Sequence, residues 1–384
     1  MKTKVKVNIK KCIGILGGGQ LARMSAYQAF KLGFDVAILE KEKNSPAGQL
    51  TKKEYVGWVD NESVLKEFSK HSDVVTLENE FIDSEKLHYI ETLGKEVIPS
   101  SKTISLIQDK YIQKRTLERN GIPVPKFVKY NYENLYKDVS SILGKKFVLK
   151  SRKMGYDGYG NALVENINSF NSGLKKLASR GSELYAEEFI DFAMELAIMI
   201  VRTKKEIKTY PVVQTIQENH ICKTVIAPAQ IPKKLAKFSE EIAISAVEAV
   251  SGYGIFGIEM FLTKDKNILV NEMAPRPHNS GHYTIEACVT SQFENHIRAI
   301  LGLPLGSTEM LRPFAVMINL LGKRIGDGVV RNYNKAFTDD NVHLHIYGKE
   351  KSRVGRKMGH ITILGDNLYP ILRRVKEIEK QIII

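Results

Sequence analysis

The stretch from Gly254 to His282, GIFGIEMFLTKDKNILVNEMAPRPHNSGH, constrains the fold more than any other part of the chain. Ile258, Met260 and Leu262 alternate along one run and Ile268 and Val270 along the next, with polar Lys264-Asp265-Lys266-Asn267 between them. That is the pattern of a β-hairpin with one buried face. A symmetric turn centred between Asp265 and Lys266 sets Glu259 opposite Glu272. Facing Cβ atoms on paired antiparallel strands lie roughly 5 Å apart, and like charges placed there repel. Two readings stay open: a solvated acidic edge, or a divalent cation held by both carboxylates with Asn271 as a neutral oxygen donor beside them. Magnesium is commonly bound through one or two carboxylates plus nucleotide phosphates. Pro275 and Pro277 exclude the next loop from a central strand. It gathers Arg276, His278, Asn279, Ser280 and His282, a density of donors that suits a substrate pocket.

A chain of 384 residues exceeds one ordinary core and divides into two or three domains of about 100 to 150 residues. No run of about 18 apolar residues occurs, and the opening MKTKVKVNIKK lacks the apolar centre of a signal peptide. A cytoplasmic protein without a membrane partner is expected. Cys12, Cys222 and Cys288 are scattered and odd in number, which supports neither a disulfide framework nor a zinc site. The formal charge of +14 favours anionic partners. The lysines are nonetheless spread along the chain, with no basic tract interleaved with aromatics, so small phosphorylated ligands are expected rather than nucleic acid.

Residues 12 to 16, CIGIL, run into Gly17-Gly18-Gly19, and the amphipathic QLARMSAYQAFKLG leads on to a second apolar run, DVAILE. Strand, glycine turn, helix and strand make a doubly wound α/β unit with the turn at the carboxyl edge of its sheet. Gly17, Gly19 and Ala22 satisfy a dinucleotide fingerprint, with Glu40 about 20 residues on, where a ribose ligand stands in such folds. An NAD-dependent oxidoreductase is therefore one reading. The other is that the glycines admit a different phosphate or sugar. A third strand, DVVTLENE, places Glu78, Asn79 and Glu80 at the same edge.

A boundary falls near residues 100 to 125, where two helical pieces end at Gly121, Pro123 and Pro125. In the next unit KKFVLKS is a strand carrying Lys150, followed by a glycine-rich turn, RKMGYDGYGNALV, expected to be a mobile loop between two strands. An ammonium beside such a loop suits phosphates. No GK[ST] closes it, so it is not a Walker A motif. Glu187-Glu188-Phe189-Ile190-Asp191 interrupts two further strands, and Glu195 opens the second. Edge backbone and a carboxylate there suit an adenine amino group and a ribose diol, or are simply surface. His220 falls near the tip of a later hairpin. In the last 70 or so residues FAVMINLLG, VHLHIYG and HITILG read as strands. The connection KEKSRVGRKMG crowds Lys349, Lys351, Arg353, Arg356 and Lys357, a solvated loop or a phosphate clamp.

The order of these parts resembles an ATP-grasp ligase. Four stretches, GILGGGQLARM, LKSRKMGYDGYGN, NEMAPRPHNSGHYT and YGKEKSRVGRKMGHIT, resemble the 5-(carboxyamino)imidazole ribonucleotide synthases, over nearly the whole chain. The resemblance implies an α/β (α+β) ATP-grasp fold: an N-terminal Rossmann-like domain (1–104), a small mobile lid (105–190), a large subdomain with the metal and nucleotide site (191–310) and a C-terminal subdomain (311–384). It implies ATP- and bicarbonate-dependent carboxylation of 5-aminoimidazole ribonucleotide by a homodimer using Mg²⁺, with Mn²⁺ as an alternative. ATP would meet Lys110, Lys150, the loop Gly155, Tyr156, Asp157, Gly158, Tyr159, Gly160 and Asn161, the hinge Glu187, Glu188, Phe189 and Ile190, then Glu195, His220, Asn271 and Glu272. Lys110 stands where the family commonly has arginine, so the charge is kept and the planar fork lost. The metal would lie between Glu259 and Glu272. The ribonucleotide would meet Gly18, Gly19, Gln20, Leu21, Glu78, Asn279, Ser280, Gly281 and His282, with Lys349 and Arg356 on its phosphate. Tyr156, Asp157 and His282 are catalytic candidates on this pattern, and Arg276 joins them by its charge and position, as an electrophilic partner for bicarbonate or carboxyphosphate. Among relatives, glycinamide ribonucleotide formylation and biotin carboxylation share the ATP half, and only the PRPHNSGH loop and the basic hairpin separate them.

Overall fold

A computed structural model describes residues 10–131, 133, 135–155, 159–178 and 183–384. The first sheet is parallel, in the order β3-β2-β1-β4-β5: β1 (Cys12–Leu16), β2 (Asp35–Glu40), β3 (Lys53–Val56), β4 (Val74–Leu77) and β5 (Glu96–Val97). Strands β1 and β4 are buried throughout, as parallel strands covered on both faces must be. Ile13, Ile15 and Ile38 pack with Ala22 and Ala26 of the Gln20–Lys31 helix, while Leu16, Leu39 and Leu77 fill the other side. The order in which strands are added reverses at β1, and the crevice beyond the strand ends opens between β1 and β4. Gly17 to Gly19, Glu40 and Glu78 therefore share one rim.

A second, antiparallel sheet runs β6-β9-β7-β8, with β6 (Phe127–Lys129), β7 (Phe147–Ser151), β8 (Asn161–Val164) and β9 (Leu184–Glu188). Phe147, Leu149, Leu184 and Ala186 face Phe170 and Leu177 of the Ile167–Ala178 helix. Strand alternation then turns Lys150 and Glu187 to the opposite face. Strands β7 and β8 flank the expected glycine loop, with Lys150 opposite Asn161. Tyr156, Asp157 and Gly158 lie outside the described residues.

The largest sheet has the order β15-β14-β10-β12-β13-β16-β20-β18, with β11 (Ile207–Thr209) also on β10. Its strands are β10 (Phe192–Arg202), β12 (Val213–Glu218), β13 (Ile221–Ala227), β14 (Gly254–Thr263), β15 (Ile268–Ala274), β16 (Phe314–Leu321), β18 (Val342–Ile346) and β20 (Lys357–Gly365). A short ribbon pairs β17 (Gly326–Asp327) with β19 (Lys351–Ser352). Leu196, Ile198, Ile258, Met260 and Val270 bury one face against Ala243 and Val247 of the Lys233–Ala249 helix. Because β13 pairs with β16, Thr224 opposite Ile318, this sheet continues without a seam across residues 310 and 311. A closing helix, Leu368–Gln381, sets Ile371, Val375 and Ile378 on the same core as β16 and β20. Among the described residues no helix is long and apolar enough to cross a membrane.

Candidate active site

Strands β14 and β15 pair antiparallel, and Glu259 stands opposite Glu272. The route to that pairing differs from a symmetric turn. Near the tip Leu262 faces Ile268 and Met260 faces Val270, one residue out of the expected register, because Lys266 takes a left-handed conformation (φ 63°) in a three-residue turn. A bulge between the Met260 and Glu259 pairs then adds Asn271 and restores the register at the glutamates. A bulge also breaks alternation, since two residues on its strand oppose one on the partner. Val270 and Met273 stay in the apolar core, while Asn271 and Glu272 both leave it. Asn271 Oδ1 lies 3.5 Å from Lys150 Nζ, and Glu272 Oε2 lies 2.6 Å from Lys110 Nζ.

Burial, and then the charges of Glu272 and Glu195, push the Glu259 carboxyl up to about 8. Burial also opposes ionisation of Glu272, but Lys110, Lys150 and Arg276 outweigh it and hold that carboxyl below its ordinary range. A cation joining the two would favour the charged form of both. The donors are all hard oxygens, as Mg²⁺ or Mn²⁺ requires. Among the described residues no cluster of three or more His, Cys, Asp or Glu could hold a metal unaided. The pair fits a cation whose remaining ligands come from phosphate and water. Glu195, on β10 opposite Phe261, lies on the same strand face as Ala197, which is opposite Glu259; burial lifts its carboxyl to about 7.

Other expected groups converge on this face with differences. Lys150 pairs with the buried Glu187, whose carboxylate also meets Lys114, a residue that no sequence motif marks. The Glu187 side chain is thus engaged with two ammoniums, while its backbone lies in β9 between Phe127 and Val148. Glu188 accepts from Lys126 N at 3.3 Å, Phe189 is exposed under the Lys146 ammonium, and Ile190 is half-buried. Gly155 approaches Lys110, with 3.7 Å between an added Cβ and Nζ. His220 is exposed on the Asn219-His220 turn, both residues at positive φ. Tyr159 is exposed and Gly160 is buried at φ 96°.

The glycine rim is already filled by the chain's own carboxylates. Gly18 N donates to Glu40 Oε2 at 2.8 Å, and Gly19 N donates to Glu78 Oε2 at 2.6 Å, with Leu21 N 3.3 Å from Glu78 Oε1. A pyrophosphate would need those same donors, so the dinucleotide reading fails on geometry. Gln20 opens the helix at this rim, half-buried. Burial raises the Glu78 carboxyl above its usual range, against the hydrogen bond from Gly19 and the charge of Lys349. Lys349 is itself pushed down to about 7, by burial first and by Arg356 next; its Nζ donates to Lys357 O at 2.7 Å. Arg356, half-buried, donates to Lys351 O at 2.6 Å.

The loop after β15 corrects the picture of open donors. Arg276 is forked onto Glu80, its Nη2 3.1 Å from Oε1. His278 Nε2 lies 3.4 Å from Glu259 Oε1. Asn279 and Asn319 exchange amide hydrogen bonds of 2.9 and 2.6 Å. Ser280 meets His278 Nδ1 at 2.9 Å, and Gly281 is packed so closely that an added Cβ would sit 2.6 Å from Gln292 Oε1. His282 is fully buried, bonded through Nδ1 to Gln292 at 3.1 Å, and burial keeps its imidazole neutral. The run is a packed floor because a tight turn, Asn279–Gly281, folds it inward.

A Rossmann-like unit, a four-stranded cover bearing Lys150 and a sheet bearing paired carboxylates define the ATP-grasp class, and an ATP-grasp domain model matches residues 115–293. A ribonucleotide synthetase preATP-grasp model matches 10–108 and a phosphoribosylaminoimidazole carboxylase C-terminal model 315–374. The chain belongs to the N5-carboxyaminoimidazole ribonucleotide synthase family. The Thermotoga maritima synthetase structure is 44% identical with a TM-score of 0.87, covering 97% of this chain and 99% of that one. An Aspergillus clavatus synthase structure, in complex with ADP and 5-aminoimidazole ribonucleotide, is 36% identical with a TM-score of 0.88, covering 97% and 98%. The phosphoribosylaminoimidazole carboxylase of Ogataea methanolica is 42% identical over 96% of this chain, which spans 69% of its length.

Proposed function

We propose that this chain carboxylates the exocyclic amine of 5-aminoimidazole ribonucleotide at the expense of ATP, a step of purine (IMP) biosynthesis. Bicarbonate oxygen attacks the γ-phosphorus, ADP leaves, and the resulting carboxyphosphate passes its carboxyl carbon to the amine, which loses a proton as phosphate departs. The observation that carries this is the Glu259–Glu272 pair beside Lys110 and Lys150, on a sheet that continues to the strands flanking Lys349. A cation between Glu259 and Glu272, Mg²⁺ or Mn²⁺, would neutralise charge on the transferring phosphoryl group. Lys110 and Lys150 add fixed positive charge, since phosphoryl transfer depends on positioning and electrostatics more than on covalent work. Glu195 is assigned to the ribose of ATP, and the hinge Glu187–Ile190, His220 and Gly155 to Asn161 to its base and phosphates. Tyr156, Asp157 and Gly158 enter through the family pattern alone. Arg276, released in part from Glu80, would polarise bicarbonate or carboxyphosphate. Gly18 to Leu21, Glu78 and the Asn279–His282 floor would hold the ribonucleotide, with Lys349 and Arg356 on its phosphate. A cytoplasmic homodimer belongs to the same proposal.

Coupled ADP release tests it: with bicarbonate and Mg-ATP present, 5-aminoimidazole ribonucleotide should stimulate turnover. A rate indifferent to that ribonucleotide would sink the assignment. A thermal-shift screen should also respond to Mg-ATP and not to NAD. At the rim, Gly19→Ala would place a Cβ 2.1 Å from Glu78 Oε1 and displace that carboxylate. The KM for the ribonucleotide should rise about 10-fold, the scale of one lost hydrogen bond to a charged group, with the KM for ATP unchanged.

A further inference from the structure

Strand β15 is an edge strand, and its outer side is covered by the Lys110–Arg119 helix. Gln113, buried, donates to Met273 O at 3.0 Å and accepts from Met273 N at 2.9 Å, satisfying the edge as a further strand would. Lys114, 1% exposed, donates to Val270 O at 3.0 Å. These contacts bracket the bulge residues Asn271 and Glu272. The same Lys114 ammonium lies 2.9 Å from Glu187 Oε2, and Lys150 takes Oε1. One carboxylate, 2% exposed, therefore stands between two ammoniums, with the three groups drawn from the helix, β9 and β7.

The charge count gives this arrangement a purpose. A buried carboxylate beside a single ammonium forms a neutral pair and leaves little field for an incoming phosphate. With two ammoniums the cluster carries a net positive charge. Lys150 is the more exposed of the two and reaches toward Asn271, so the excess charge is presented at the acidic bulge. Burial pushes Lys114 down to about 8, and both lysines hold Glu187 ionised against its own burial.

We propose that Lys114 is a positioning residue of the nucleotide site: by sharing Glu187 it leaves part of the Lys150 charge uncompensated to meet a phosphate, and through Val270 O it sets the height of the Asn271-Glu272 bulge. The proposal rests on the nucleotide reading above. Its test is calorimetric binding of Mg-AMPPNP to the full chain, which needs no turnover. Lys114→Met should weaken binding about 10- to 100-fold, as loss of one partner from a buried charge cluster does. Lys114→Met with Glu187→Gln removes one charge of each sign, leaves Lys150 unpaired, and should recover about 5-fold or more of the binding lost in the single variant, a non-additive recovery. Steady-state KM for ATP should follow the same order, with the KM for the ribonucleotide unmoved.

Wild-type binding to the Lys114→Met single variant would overturn the proposal, as would a double variant weaker than the single. If the single variant does not fold by circular dichroism, the double carries the test: retained Mg-AMPPNP binding supports the charge-sharing role, and loss of binding refutes it. A wild-type chain that binds no Mg-AMPPNP overturns the nucleotide reading itself and this inference with it.

Discussion

Glu272→Gln is expected to lower the rate of ATP-dependent ADP release about 1000-fold, the upper range for removing one preorganised electrostatic group from an active site. The substitution keeps the size of the side chain and the bulge that carries it, but removes the charge. Lys110 then loses the carboxylate at 2.6 Å, and Glu259 is left as the sole anionic donor for a divalent cation. The fold should survive. Glu272 is only part-buried, and its neighbour Glu259 is relieved of a facing charge, so the Glu259 carboxyl should ionise at lower pH than in the wild type. Thermal melting should move by a few degrees at most, while Mn²⁺ bound in the presence of ADP, followed by electron paramagnetic resonance, should fall with the rate. Near wild-type ADP release would show that the acidic pair does not serve the nucleotide.

That pair shows how far sequence alone reaches. Alternation of Ile258, Met260 and Leu262 marked a hairpin, and the two glutamates do meet. Two local departures offset each other, however: a three-residue turn with Lys266 left-handed shifts the register, and the bulge at Asn271 shifts it back. Neither leaves a signature in residue types, because the αL position is filled by lysine where glycine or asparagine would have signalled it. Asn271 was expected beside the glutamates as an oxygen donor, but the bulge that turns it and Glu272 out of the core together was not legible. The parallel sheet was legible because its buried strands are continuous apolar runs.

Other parts were legible in kind and not in partner. Glu40 and Glu78 stand at the strand ends, as expected of a ligand rim, yet they bond the glycine N–H groups that a dinucleotide would claim. Asn279 and Ser280 looked like donors for a substrate; a neighbouring strand supplies Asn319, 40 residues away, and takes the amide. Lys114 and Glu187 are 73 residues apart in the chain and carry no motif, so only the closing of β9 against the helix brings them together. The Leu368–Gln381 helix did have a signal, Ile371, Val375 and Ile378 at helical spacing, and pairs with strands that were read correctly.

Removing the Lys349 ammonium should separate the two substrates most clearly. Lys349→Met is expected to raise the KM for the ribonucleotide about 100-fold, near the upper value of a charge-assisted hydrogen bond to phosphate. The KM for ATP should change by less than about 3-fold, because Lys349 is assigned to the ribonucleotide phosphate and to no part of ATP. Arg356→Ala should act in the same direction with a smaller effect, since the Arg356 guanidinium makes its contact at the exposed surface and the Lys349 ammonium makes its own part-buried. The pH dependence distinguishes charge from packing. Burial and the neighbouring Arg356 bring Lys349 down to about 7, so in the free enzyme it is cationic below that pH and neutral above it. A phosphate monoester gains its second charge near pH 6. Apparent affinity for the ribonucleotide should therefore peak between about 6 and 7 and decline as pH rises through 7 to 8. Lys349→Met should lose that alkaline decline, and Lys349→Arg should carry it to higher pH, because a guanidinium stays charged. An unchanged alkaline limb in Lys349→Met would assign the titration to another group and leave the basic hairpin without a role in holding the phosphate.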